Sequence, residues 1–290
     1  DLGRLPRFRP NIGLPSLRRS RNDAAAFAQA QYQLAEALPA TLPASDDTIW
    51  LSTVVPVYNA PKRYLDDLLR SFENQDIPGT QLILSDDAST SEETLRWYDE
   101  RAEDDRIQIV RNTTNGGIAK ATNAGLAKAT GTWVALLDHD DVIAPHAFKV
   151  IANTLAQHPE ARFVYTDELV VDDKLAPQGV MLKPAYDAVL LTGVNYINHF
   201  SLYRRERLER IGYLRLGFDG SQDYDLLLRY LEGIPESQIL HLPYLAYWWR
   251  RTAATYSQKF IETATAAART AIKDRFARGG TAVTVKPALT

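Results

Sequence analysis

Ile49-Trp50-Leu51-Ser52-Thr53-Val54-Val55-Pro56-Val57 is a nearly continuous apolar run rich in valine. Such a run predicts a strand buried on both faces, as in a parallel sheet. Just beyond it, Tyr64, Leu65, Leu68, Leu69 and Phe72 recur at helical spacing with charges between them. Leu82–Ser85 predicts a second strand, and Ser89 with Glu92 reads as a capping box opening a helix. Ile107–Val110 and Trp133–Leu137 predict a third and a fourth strand, with a helix over Ile118–Ala129 between them. Pro145 suits the first turn of another helix, and Phe163–Thr166 predicts a fifth strand. Strand–helix alternation at this spacing implies an α/β fold, a Rossmann-like parallel sheet with helices on both faces.

Composition narrows the chemistry. The 290 residues are 45% apolar and 24% charged, as in an ordinary globular protein. With no cysteine, disulfides, zinc fingers, iron–sulfur clusters and thiol nucleophiles are excluded. A net charge of −3 gives no general attraction to nucleic acid, so no nucleic-acid partner is expected. Charge is uneven, however. Residues 1–21 hold Arg4, Arg7, Arg9, Arg18, Arg19 and Arg21 against the single acid Asp1. This arm reads as a solvated tail or as a peripheral contact with an anionic membrane or phosphorylated lipid acceptor. A helical pattern over Ala24–Leu38 follows, broken by Pro39 and Pro43. The chain starts at Asp1 without a signal peptide or an apolar run of about 20 residues. The expectation is a cytoplasmic protein, free or at the inner face of the membrane, cut from a larger multi-domain chain.

Open parallel sheets bind ligands beyond the carboxyl ends of their strands. Those ends read Pro56-Val57-Tyr58-Asn59, Asp86-Asp87-Ala88-Ser89, Asn112 to Gly117, and Asp138-His139-Asp140-Asp141. None is followed by GxGxxG or GxxxxGK[ST], which argues against a dinucleotide dehydrogenase and a phosphate-loop kinase. Carboxylates repel phosphate, but they can neutralise it through a divalent cation, which hard oxygen ligands favour.

These motifs, with Lys183-Pro184, Asn195-Tyr196-Ile197-Asn198-His199 and Gly220-Ser221-Gln222-Asp223-Tyr224-Asp225, resemble the inverting glycosyltransferases of family 2. The resemblance runs from about Thr53 to about Ser257 and is nearest to the bacterial branch that builds O-antigens, capsules and rhamnose-rich glycans. It implies a GT-A fold, a Rossmann-like, mostly parallel central sheet merged with an acceptor-binding half. The division expected is an arm and helix over 1–47, a transferase domain over 48–257 and a C-terminal helix and tail over 258–290. Within the domain, 48–168 is the nucleotide-sugar half and 169–257 the acceptor half. The implied reaction moves a sugar from a UDP- or dTDP-sugar, dTDP-rhamnose among them, to a glycan or lipid-linked glycan. A catalytically idle nucleotide- or glycan-binding module of a larger enzyme is the alternative.

By the same resemblance, Asp87 accepts a hydrogen bond from a pyrimidine imide, and Pro56 and Tyr58 line the base pocket. The residue-level alternative is that Asp86 and Asp87 merely shape an Asx turn. Asn115 and Gly117 approach the nucleotide or simply form a turn, and Lys120 reaches the diphosphate or stays solvated. Asn123 reads as a helix surface residue. The resemblance puts Asp138 near the ribose and Asp140 on Mn²⁺ or Mg²⁺, with Asp141 capping the structure that leads to Pro145. The general base is Asp223, with Asp225 as competitor; Ser221 is the expected N-cap. Gln222 and His199 are expected near the acceptor, His199 equally as core filling. One departure concerns the metal. Where the family often has Tyr-His-Trp-Arg, this chain has Tyr247-Trp248-Trp249-Arg250, so a histidine ligand is missing. His241 reads as structural, while Arg250 or Arg251 is expected to reach the diphosphate. Ser257–Arg278 predicts a long helix and Thr281–Val285 a terminal strand.

Overall fold

A computed structural model of the chain describes residues 14–45, 48–75, 77–104, 107–251 and 261–286, without the side chains of 14–20 and 261. The arginines at 4, 7 and 9, the side chains of Arg18 and Arg19, and the boundary at Ser257 therefore lie outside the described residues.

The apolar run becomes β1 (Leu51–Val57), all seven residues buried. Beside it lie β2 (Thr80–Asp86), β3 (Ile107–Arg111) and β4 (Trp133–Leu136), paired in parallel in the order β3-β2-β1-β4. The crossovers are α2 (Lys62–Glu73), α3 (Glu92–Asp99) and α4 (Ile118–Leu126). Leu65, Leu68, Leu69 and Phe72, the apolar stripe of α2, are buried. Ser91 caps α3, its hydroxyl accepting from Thr94 N, whereas Ser89 was the expected cap. Ser89 Oγ instead accepts from the backbone of Asn59, tying the ends of β1 and β2 together. Helix α4 lies close on the sheet at Gly125, where a Cβ would sit 2.6 Å from Val54 Cγ1.

The second half departs from plain alternation. After the two-residue β5 (Val142–Ile143) and α5 (Ala147–Gln157), β6 (Phe163–Val171) does not join β4. A later strand, β8 (Ser201–Arg204), enters antiparallel between them. Strand β7 (Pro177–Met181) hairpins onto β6, and β9 (Ile239–Arg250) runs parallel to β6. One sheet, β3-β2-β1-β4-β8-β6-β9-β5, thus carries both halves. Its faces are covered by α2, α3 and α5, by α4, and by α6 (Ala188–Gly193), α7 (Arg205–Ile211), α8 (Gln222–Tyr230) and α9 (Ile261–Arg278). An earlier helix, α1 (Leu14–Glu36), begins well before the expected Ala24 and packs on β7 and β9. Residues 281–286 form no strand, contrary to expectation.

Candidate active site

The ends of β1 and β2 are bound into one rim. Asp86 is fully buried and accepts from Ser89 N, Tyr98 Oη and Arg111 Nε. Asp87, 3% exposed, accepts from Gly116 N, Gly117 N and Asn112 Nδ2, with Gly117 N at 2.7 Å. The 112–117 loop thus already supplies three donors to the carboxylate expected to meet a pyrimidine imide. Asn115 Nδ2 donates to the Asp87 carbonyl, and Gly117 (φ +84°) takes a conformation that favours glycine at the start of α4. Lys120 is exposed and donates to Thr114 Oγ1 at 3.4 Å. Tyr58 is 48% exposed on this rim, and Pro56, next to last in β1, has its carbonyl 3.2 Å from His139 Nδ1. Asn123 clamps the 212–217 loop instead of facing solvent, bonding both N and O of Leu214.

The acidic turn 138–141 sits between β4 and β5. Asp141 is not a cap but a buried anchor, accepting from Tyr247 Oη at 2.5 Å and Arg250 N at 2.6 Å. Burial, then the neighbouring Asp140 and Asp138, hold its carboxyl well above the usual range. Desolvation likewise raises Asp138, with Asp140 adding and His199 opposing. Ligand atoms of Asp138, Asp141 and His199 lie within 4.8 Å of one another, His199 Nε2 being 3.8 Å from Asp138 Oδ2. Asp140 is not part of this convergence; its carbonyl accepts from Arg250 Nε. Two carboxylates and an imidazole fit a divalent cation chemically, and a cation would relieve the raised acids.

His199 is placed by unusual neighbours. Its ring stacks on Tyr247 with centroids 4.6 Å apart and planes 9° off parallel. The peptide His199–Phe200 is cis. Lys183, 3% exposed, pairs with the fully buried Glu168 at 2.7 Å and donates to the carbonyls of Ile197 and His199. Nearby, Asp167 accepts from Lys183 N and pairs with His241, so His241 is structural as expected.

Asp223 opens α8. Asn195 Nδ2 donates to its Oδ2 at 2.9 Å, and the amides of Asp223 and Tyr224 also favour its charge. Desolvation outweighs these, leaving the carboxyl raised, with the charge of His199 pulling it down. Ser221 occupies the cap position, but its hydroxyl bonds Ala264 O on α9. Gln222 Oε1 is buried without a partner among the described residues. Asp225 is 1% exposed and held by Arg215 and Arg229, which commits it to structure.

The expected phosphate contact of Arg250 is corrected. Its guanidinium, 1% exposed, is occupied by Asp140 O, Asp173 O and Asp67 Oδ2. Arg251 lies over the Trp249 ring. Trp248, at the place of the family histidine, points to α1 and donates to Tyr32 Oη. Sequence reasoning gave no role to Tyr247, Asn195 and Lys183, whose partners are distant in the chain.

Residues 52–212 match the sequence model of glycosyl transferase family 2. The O-antigen biosynthesis protein RfbC of Myxococcus xanthus is 35% identical over 233 residues, 79% of this chain and 18% of that one. The chain spans a quarter or less of the length of the curated relatives it matches first. In shape it is similar to S. aureus TarS 1-349 in complex with UDP-GlcNAc, with TM-score 0.64 and 22% identity over 79% of this chain and 66% of that one. It is also similar to the mannosyltransferase PcManGT of Pyrobaculum calidifontis in complex with GDP-Man and Mn2+, with TM-score 0.55 and 18% identity over 94% and 76%.

Proposed function

The chain belongs to glycosyl transferase family 2, and from that premise we propose an inverting transfer from a UDP- or dTDP-sugar to a bacterial surface glycan. Support for a polysaccharide product comes from its likeness to the O-antigen protein, and for a nucleotide-sugar donor from the complexes of its neighbours in shape. The observation that carries the mechanism is the position of Asp223. It is a carboxylate at a helix N-terminus, bonded by Asn195, electrostatically coupled to both Asp138 and His199, and facing a recess.

In this reading the rim of Pro56, Tyr58, Asn115 and Gly117 holds the base and ribose. Asp87 shapes that rim by fixing the 116–117 amides, and Lys120 swings to the diphosphate. Asp138 and His199 would hold Mn²⁺ or Mg²⁺, with Asp140 of the same turn beside them. When bound, the cation neutralises charge growing on the leaving diphosphate. Asp223 takes the proton of the acceptor hydroxyl, and the freed oxygen attacks the anomeric carbon from the face opposite the diphosphate. A new C–O bond forms as the old one breaks, and the nucleoside diphosphate leaves with the electron pair. Such a single displacement inverts the anomeric centre.

The test is donor turnover across UDP-, dTDP- and GDP-sugars, with and without Mn²⁺, in wild type and Asp223→Asn. Turnover of a UDP- or dTDP-sugar that Asp223→Asn abolishes supports this reading. No turnover with any donor, but retained nucleotide binding, favours the idle binding module.

A further inference from the structure

Beside Asp223 opens a recess of about 490 Å³, within the range of small-molecule sites. Its floor is the start of α8, and one wall is the end of α6 with Val194 and Asn195. The opposite wall is α9 and the segment after it, through Arg269, Ile272 and Lys286. That wall, like the floor, lies outside residues 52–212, the stretch matched by the family. The charged side chains lining the recess are Asp223, Arg269 and Lys286.

Two other cations at α9 are matched. Arg215 meets Asp274 at 2.8 Å, and Arg278 meets Glu232 at 2.6 Å. Among the described residues, Arg269 and Lys286 have neither an acid within 4.0 Å nor a hydrogen-bond acceptor. Arg269 is half-buried, so part of its hydration is already lost. Two unmatched cations converging on one recess are complementary to a bound anion, and a guanidinium pairs well with carboxylate or phosphate oxygens.

Resting on Asp223 as the base, we propose that this recess is the acceptor subsite, and that Arg269 and Lys286 select an acceptor carrying a carboxylate or phosphate near the reacting sugar. In this arrangement Asp223 serves the transfer, while α9 and the segment after it read the acceptor's charge.

Calorimetry on the 290-residue chain with saturating UDP, which occupies the donor side, tests this. The probes are a glucuronate-containing disaccharide, farnesyl diphosphate and neutral lactose. At least one anionic probe should bind roughly 10-fold or more tightly than lactose, the scale of a hydrogen bond to a charged group. Preference for the disaccharide assigns a carboxylate, and preference for farnesyl diphosphate assigns a lipid-borne phosphate. The double variant Arg269→Gln/Lys286→Gln should lose the preference, Arg269→Lys should keep part of it, and thermal unfolding should show all of them folded. Equal binding of charged and neutral probes, or a double variant that binds like wild type, overturns the proposal. Asp223→Asn is read by turnover and the double variant by probe binding, so the two assignments fail separately.

Discussion

Asn195 Nδ2 stands 2.9 Å from Asp223 Oδ2, a single hydrogen bond joining the segment before β8 to the first turn of α8. Asp223 must be ionised to accept a proton, yet desolvation holds it above the ordinary aspartate value. kcat/KM should therefore fall as pH drops through that raised value, while remaining high above it. Asn195→Ala removes a donor that favours the charged form, so the acid limb should move to higher pH. A pH–rate profile in both proteins checks this, and an unmoved limb counts against Asp223 as the titrating base.

Asp223→Asn itself should lower kcat by about 10²–10⁴-fold, the usual contribution of a positioned base. Donor affinity should change little, because on the proposed function the residue faces the acceptor hydroxyl and not the diphosphate. Near wild-type kcat, or a product with retained anomeric configuration, would sink the assignment.

Metal binding is separable from turnover. EDTA should abolish transfer, and Mn²⁺ titration followed by electron paramagnetic resonance should give a weaker site in Asp138→Asn and His199→Ala. The loss should exceed the roughly 10-fold that even an outer-sphere change costs. Asp140→Asn, measured alongside, shows whether the third member of the turn also ligates. Unchanged Mn²⁺ affinity in all three variants removes the cation from this corner.

Asp87→Ala should act on stability first. It removes the acceptor shared by the amides of Gly116 and Gly117 and the side chain of Asn112, part-buried hydrogen bonds that contribute roughly 1 kcal/mol each. A clear fall in Tm accompanying weaker UDP binding supports the rim-shaping role. Unchanged Tm with lost UDP or dTDP affinity would restore direct contact with the base.

Lys183→Met leaves Glu168 as a buried charge without its partner, which costs about 3–5 kcal/mol. The double variant Lys183→Met/Glu168→Leu should recover most of this in urea unfolding, because the uncompensated charge is gone. If the double variant is as unstable as the single one, the carbonyls of Ile197 and His199 are what Lys183 chiefly holds.

Strands β1 to β4 were legible because each is a short apolar run closed by polar residues, and each is joined to the next by a helix with its own pattern. The place of β8 was not, since Ser201–Arg204 carries no local sign that it will pair with both β4 and β6. Strand β9 hid behind Pro243, which a regular ladder would not tolerate. The pairing with β6 steps from Leu242 to Leu245, and that irregularity accommodates the proline. In the site, the acids at 138–141 stood out because clustered carboxylates repel one another, and Asp223 stood out through the family resemblance, as an acid opening a helix. Tyr247 and Lys183 did not, since an aromatic and a lysine in strand-like surroundings look ordinary until Asp141, His199 and Glu168 are set against them.

The continuity of the sheet has a practical side. Asp138 follows β4 and His199 precedes β8, and these two strands are hydrogen-bonded neighbours within one sheet. On the proposed function, the spacing between a bound nucleoside and a bound acceptor is set by that ladder. A two-headed inhibitor for this scaffold should accordingly join its nucleoside and glycan-mimicking ends by a short, stiff tether cut to that one length. A rigid tether forfeits less entropy on binding than a flexible one.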